Sequence, residues 1–181
     1  MKKLLNDRRI ARCITAAVIL ASFLGGGART LGRMSADVAG IFYNGVNGDG
    51  MGIQRELEHR ANFTQNMVTV ANRYIDGDAA VEKAAAARED LINAGSIKLK
   101  SEKNRNLTDA AAELYERLGR EKLSENDARL RESLFTEIKA RNVRISNDEY
   151  NKKAREFNQK LHIFPASVIR VLRFAPELPI F

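Results

Sequence analysis

An aromatic residue followed by a small polar or helix-stopping residue recurs every seventh position near the end of this chain: Tyr150-Asn151, Phe157-Asn158 and Phe164-Pro165. Seven residues is the period at which helices pack along a seam. The spacing therefore puts three rings on one helical stripe, with two Asn side chains beside it. Tyr150, Ala154, Phe157, Leu161, Phe164, Val168 and Val171 continue that stripe at alternating steps of four and three. The pattern predicts a coiled-coil-like seam, with Pro165 kinking or restarting the helix near its end.

The rest of the chain is consistent with an all-α fold. Among 181 residues there are three Pro and no Trp, and the abundant Ala, Leu, Glu, Lys and Arg are strong helix formers. From Ile53 to Tyr74 two apolar stripes run side by side, Leu57, Ala61, Thr64, Val68, Ala71 and Ile75 in one, Phe63, Met67, Val70 and Tyr74 in the other. Such a wide face predicts a helix buried along much of its circumference. Asp76-Gly77-Asp78 ends that helix and offers a cap to a third, running to about Ala94 and lined by Val81, Ala84, Ala85, Arg88, Leu91 and Ile92.

Residues 95–106 read as the longest polar connection, expected to be mobile. A fourth helix follows through Ala110, Ala111, Leu114 and Leu118. A fifth carries Leu130, Leu134, Phe135 and Ile138, opened by a capping box at Ser124 to Asp127. Gly119 alone leaves open whether these two merge. A second capping box at Ser146 to Glu149 opens the aromatic helix, with Ser146 as the cap.

The N-terminal part has a different character. Cys13 to Ala28 is a sixteen-residue stretch without a formal charge, flanked by Arg12 and Arg29. At 1.5 Å per residue it spans about 24 Å, and Ile10, Thr30 and Leu31 extend it toward the ~30 Å of a bilayer core. Lys2, Lys3, Arg8, Arg9 and Arg12 precede it while only Arg29 and Arg33 follow closely, which predicts a cytoplasmic N-terminus with the body outside. A cleaved signal peptide also fits a basic start, an apolar middle and Gly26-Gly27-Ala28. The uncleaved anchor is favoured because helix-compatible sequence continues, with Leu31, Met34, Val38, Ile41 and Phe42 on one side, until Gly45, Gly48, Gly50 and Gly52 end it. The expected organisation is thus a basic segment and transmembrane anchor over 1–33, a juxtamembrane helix and glycine-rich hinge over 34–52, and a helical bundle over 53–181.

This placement of charge also disposes of nucleic acid as a partner. The net charge is +7, but most of it sits around the anchor, leaving the bundle nearly neutral rather than carrying a concentrated cationic face. Catalytic patterns are lacking. His59 and His162 form no ligand pair, there is no G-x-S-x-G elbow, and the glycine-rich stretches lack the Gly-Lys-Ser/Thr of a phosphate loop. The single Cys13 permits no intramolecular disulfide or Cys-based metal site. Asn47, Asp49, Gly52 and Glu58 match a calcium-loop register, but with Met51 and Ile53 at ligand positions and only two carboxylates. No cofactor, metal or catalytic residue is expected.

The residues of the repeat, with Val168, Ile169 and Phe174 as a closing hydrophobic run, resemble the LemA family. A second match is Leu57-Glu-His-Arg60-Ala61 continuing through Asn66-Met67-Val68. The chain departs from the family's pattern at Gln65, where a Pro is usual, in lacking a Trp before that helix, and in its glycine-rich Met34–Gly52 region. It reads as a short, divergent member. The resemblance implies a bacterial, membrane-anchored protein with an antiparallel bundle of long helices, and it implies no particular reaction. The motif residues Leu57, Arg60, Ala61, Asn66, Tyr150, Asn151, Phe157, Asn158, Phe164 and Pro165 are then architectural. Asn151 and Asn158 beside the seam are expected to bond across helices and fix their register. The expected role is a non-enzymatic scaffold or adaptor in envelope or membrane-protein maintenance, in contact with the bilayer through residues 10–31 and with membrane or envelope proteins, and self-associating through helix seams. The alternative is a secreted module binding a peptide or lipid in an inter-helical groove.

Overall fold

A computed structural model describes residues 8–173 and 175–181; Lys2, Lys3 and Phe174 lie outside them. Among the described residues every regular element is a helix. They are α1 (Arg8–Asn44), α2 (Ile53–Ala71), α3 (Ala79–Asn93), α4 (Ile97–Leu118), α5 (Glu125–Ser146), α6 (Glu149–Leu161) and α7 (Ala166–Arg173). The chain divides into two compact units. One takes the chain up to Asp37 together with Glu156–Glu177, and the other takes Val38–Arg155 together with Leu178–Phe181.

The second unit is a bundle of α2 to α5, with short connections that set consecutive helices antiparallel. α2 is its central element, packing on α5, α3 and α4, while α3 packs on α4. Both apolar stripes of α2 supply the core. Leu57, Ala61, Met67, Val68, Val70, Ala71 and Ile75 are buried, and Phe63 and Tyr74 are half-buried at its margin. Facing them are Val81, Ala84 and Leu91 of α3, Leu107, Ala110, Ala111, Leu114 and Leu118 of α4, and Leu134, Ile138 and Ile145 of α5.

Caps end and begin these helices in a chemically transparent way. Asp78 Oδ1 accepts from the Ala80 N–H at 2.9 Å, and its Oδ2 accepts from Arg117 Nε at 2.8 Å, so one carboxylate caps α3 and ties it to α4. That arrangement holds the Asp78 carboxyl below the usual carboxylate range, the Ala80 amide bond contributing most. Ser124 Oγ accepts from the Asp127 N–H at 3.1 Å, capping α5 as the sequence predicts. Gly119 does separate α4 from α5.

Three sequence expectations are corrected. Residues 95–106 are not a mobile connection: Ser96 Oγ accepts from the Leu99 N–H and opens α4 at Ile97. The cap of α6 is Asp148, whose Oδ1 accepts from the Tyr150 N–H at 2.8 Å, whereas Ser146 ends α5 with its hydroxyl donating to the Val143 carbonyl. Leu130 is exposed on α5 rather than part of its buried face.

The glycine-rich segment after α1 is drawn into hydrogen-bonded turns. Gly45 takes φ of +73° while its N–H donates to the Ile41 carbonyl, and the Gly50 N–H donates to the Asn44 carbonyl. At Gly52 a Cβ would meet the carbonyl oxygens of Phe42 and Ile41, so the chain passes too close to the end of α1 for any side chain.

In the first unit, α1 presents Ile14, Val18, Ile19, Leu20 and Phe23 to the outside. Ile10–Asn44 is long and apolar enough to cross a membrane.

Candidate functional site

The motif residues do not converge on one site; the structure gives them several separate duties. Tyr150, with no exposed surface, packs its ring edge-on to Phe42 at 5.5 Å between centroids and to Phe181 at 6.1 Å. Its hydroxyl donates to the Pro179 carbonyl at 3.0 Å. Burial pushes this phenol well above its ordinary pKa, with the neighbouring Tyr43 adding to the effect.

Asn151 is also fully buried. Its Nδ2 donates to the Ile145 carbonyl at 2.6 Å and the Ser146 carbonyl at 3.3 Å, and its Oδ1 accepts from the Phe181 N–H at 2.8 Å. One amide thus binds the end of α5, the start of α6 and the chain's last segment. Ser101 Oγ adds a bond to the Ile180 carbonyl at 3.2 Å. The segment Leu178–Phe181 is therefore held through its backbone, as an extended peptide is held by a receptor.

Ala154, Phe157 and Leu161 continue the stripe in buried positions. Phe157 lies in the first unit, where it lines a cavity of about 220 Å³ with Ala28, Leu31, Gly32, Ser35, Ile169, Ala175 and Pro176. Asn158 is half-buried beside it. The expected unbroken seam stops here. Pro165 lacks the N–H a continuing helix needs, α6 ends at Leu161, and Phe164, Val168 and Val171 are exposed, Phe164 by 73%. The Phe164–Pro165 peptide is cis.

The second motif segment lies on α2. Leu57 and Ala61 are core residues, whereas Asn66 is exposed. Among the described residues Arg60 is the largest side chain with no exposed surface. Its Nη1 donates to Asn104 Oδ1 and its Nη2 to Thr108 Oγ1 at 2.8 Å, both on α4, while Nε has no partner. The Arg60 carbonyl accepts from Thr64 Oγ1 at 2.9 Å. No carboxylate pairs with the guanidinium among these contacts, and burial lowers its pKa to about 10. It remains charged at neutral pH, a cation held inside the bundle by neutral oxygens. Asn104 and Thr108 also line a cavity of about 390 Å³ with Ser101, Arg105, Asp109, Asn142 and Phe181.

A further polar cluster, unremarked in the sequence beyond its cap, centres on Asp127. Its carboxylate accepts from the Tyr74 hydroxyl at 2.6 Å, Arg73 Nη1 at 2.8 Å and Ser124 Oγ at 3.0 Å. The Tyr74 bond, followed by those of Ser124 and Arg73, outweighs desolvation and keeps this carboxyl below its ordinary range. Since Tyr74 Oη also accepts from the Ser124 N–H, the cluster clamps the end of α2 to the start of α5. A local signal was present in the Tyr74 stripe and the Ser124 box, but not the pairing between them.

His59 stacks on Phe63, and His162 meets Glu177 and Arg170 in the first unit. Glu58 accepts from Gln54 on the formed helix α2, away from any calcium-loop role. Among the described residues no three His, Cys, Asp or Glu side chains gather in a metal-holding cluster.

A long apolar N-terminal helix and a bundle closed by buried polar staples define a helical-bundle protein with a candidate membrane span. The LemA family model matches residues 50–179, and the chain belongs to that family. No curated protein and no solved structure matches it.

Proposed function

We propose that the chain is a single-pass membrane protein with its N-terminus in the cytoplasm and its bundle outside, acting as a non-enzymatic scaffold or adaptor in envelope or membrane-protein maintenance. The observation that carries this reading is α1. It runs without interruption from Arg8 to Asn44, its apolar residues are exposed over the stretch that would face lipid, and its last turns belong to the second unit. A leader removed after Ala28 would sever this helix, whereas an anchor uses it whole. The surplus of Lys and Arg before Cys13 supports the orientation. The non-enzymatic role is supported by how the polar groups are spent: Asn151 and Asp127 join helix ends, and Arg60 joins two helices.

The test is carbonate washing of membranes combined with intact mass measurement. Retention in the pellet with an uncleaved N-terminus supports the reading, and a released protein beginning near Arg29 contradicts it. A second reading, a peptide-binding module, is favoured by the backbone capture of Leu178–Phe181. A chain ending at Glu177 would then bind an added Leu-Pro-Ile-Phe peptide that the full chain refuses.

A further inference from the structure

The first unit leaves a cluster of apolar side chains uncovered. Over ten residues, Ile163, Phe164, Val168, Val171 and Leu172 are exposed by 62%, 73%, 43%, 71% and 58%. Val168, Val171 and Leu172 are spaced at three and four residues, so they share one face of α7. Ile169 is turned the other way and is 3% exposed. It packs on α1 at Gly27: a Cβ there would run into Ile169 Cδ1, with Cγ1 at 3.7 Å. The absence of a side chain at Gly27 is what lets α7 lie against α1.

The place of that contact says what covers the open face. Gly27 lies about 21 Å along the helix axis from Cys13, at 1.5 Å per residue, where the uncharged stretch gives way to Arg29 and Arg33. If α1 spans a bilayer, this is the level at which hydrocarbon meets headgroups. Arg29 and Arg33 are both exposed there. On the polar side of α7, Arg170 is tied to Glu177 at 3.4 Å and to His162 at 3.1 Å, which keeps its charge off the apolar face. A short helix with an apolar face, a basic surround and a position at the exit of a spanning helix matches the chemistry of an interfacial membrane helix.

We infer that α7 is a second membrane-contacting element, lying in the interface of the outer leaflet with Phe164, Val168, Val171 and Leu172 immersed in lipid. The inference rests on the anchor reading of α1, and the test separates the two. Full-length protein carrying Cys13→Ser is reconstituted in mixed phosphatidylcholine–phosphatidylglycerol vesicles, with one cysteine introduced at a time for a polarity-sensitive fluorophore. Val171→Cys and Phe164→Cys report on the α7 face, Val18→Cys on the anchor and Glu102→Cys on the bundle. The expected result is blue-shifted emission from positions 171 and 164, quenched more by lipids spin-labelled near the headgroup than by lipids labelled deep in the chain. Position 18 shows the deeper pattern and position 102 neither. Water-like emission at 171 and 164 with position 18 quenched overturns the inference and spares the anchor. Water-like emission at all positions overturns both. Protection at 171 that rises with protein-to-lipid ratio rather than responding to the quenchers assigns the face to a second copy and also overturns it.

Discussion

At the scale of single residues, the side chains that set this architecture are buried polar groups, each with an expected response to substitution. Arg60 bridges α2 and α4 through Asn104 and Thr108. Arg60→Ala loses packing and leaves both partners unpaired, for an expected cost of about 3–5 kcal/mol. Arg60→Met leaves the same two partners unpaired but keeps most of the bulk and removes the buried charge, so its cost should be smaller by about 1 kcal/mol or more through the packing it retains. Chemical denaturation of the two variants checks the order; equal losses would mean that the lost hydrogen bonds, and not packing, set the cost. Asn151→Ala strands the Phe181 amide and leaves the Ile145 carbonyl with the Asp148 N–H alone, an expected loss of about 1–3 kcal/mol in the same measurement. For Asp127 the sign follows from its lowered pKa. Its contribution is complete above the unfolded-state value of about 4 and is lost as pH falls through the folded value. Thermal melts between neutral and acidic pH should therefore show Asp127→Asn starting at a lower melting temperature but falling less steeply than the parent chain.

At the scale of elements, the difference between what the sequence discloses and what it conceals has a physical basis. α2 was legible because its core positions are apolar and recur at helical spacing. Arg60 shares that face, three residues after Leu57 and four before Thr64, so its burial could have been read from position, but its charge argued for solvent. The first turns of α4 were not legible. There the inward positions are Lys100, Ser101 and Asn104, all buried, while Lys98, Glu102 and Arg105 face outward. A helix that buries polar groups has no hydrophobic period to detect. The aromatic stripe was legible as far as Leu161, and its predicted continuation failed where Pro165 ended the hydrogen-bond ladder. The Asp127 clamp joins residues distant in sequence, a pairing that no local pattern encodes. Close approach at the element scale gives a further prediction. Gly52→Ala drives a methyl group against the Phe42 and Ile41 carbonyls, and overpacking of this kind costs about 1–3 kcal/mol, measurable as a lower denaturation midpoint with an unchanged helical spectrum.

At the scale of the whole molecule, one chain joins a charge asymmetry, an apolar helix and a helical bundle of the LemA family. The net charge of +7 is a property of the anchor's flanks rather than of the bundle. On the proposed reading of α1 as an anchor, that distribution would place the N-terminus in the cytoplasm. LemA family membership covers residues 50–179 and leaves the anchor to be argued from α1 itself. The central claim, an uncleaved anchor with the bundle outside, is tested most directly by labelling intact bacterial cells that express the Cys13→Ser, Glu102→Cys chain. Glu102 is exposed on α4 and far in sequence from the span. A membrane-impermeant maleimide small enough to cross the outer layers of the envelope should label position 102 in intact cells, on a full-length protein in the membrane fraction. Labelling only after the inner membrane is permeabilised, or labelling of a shortened protein in the soluble fraction, would contradict the account.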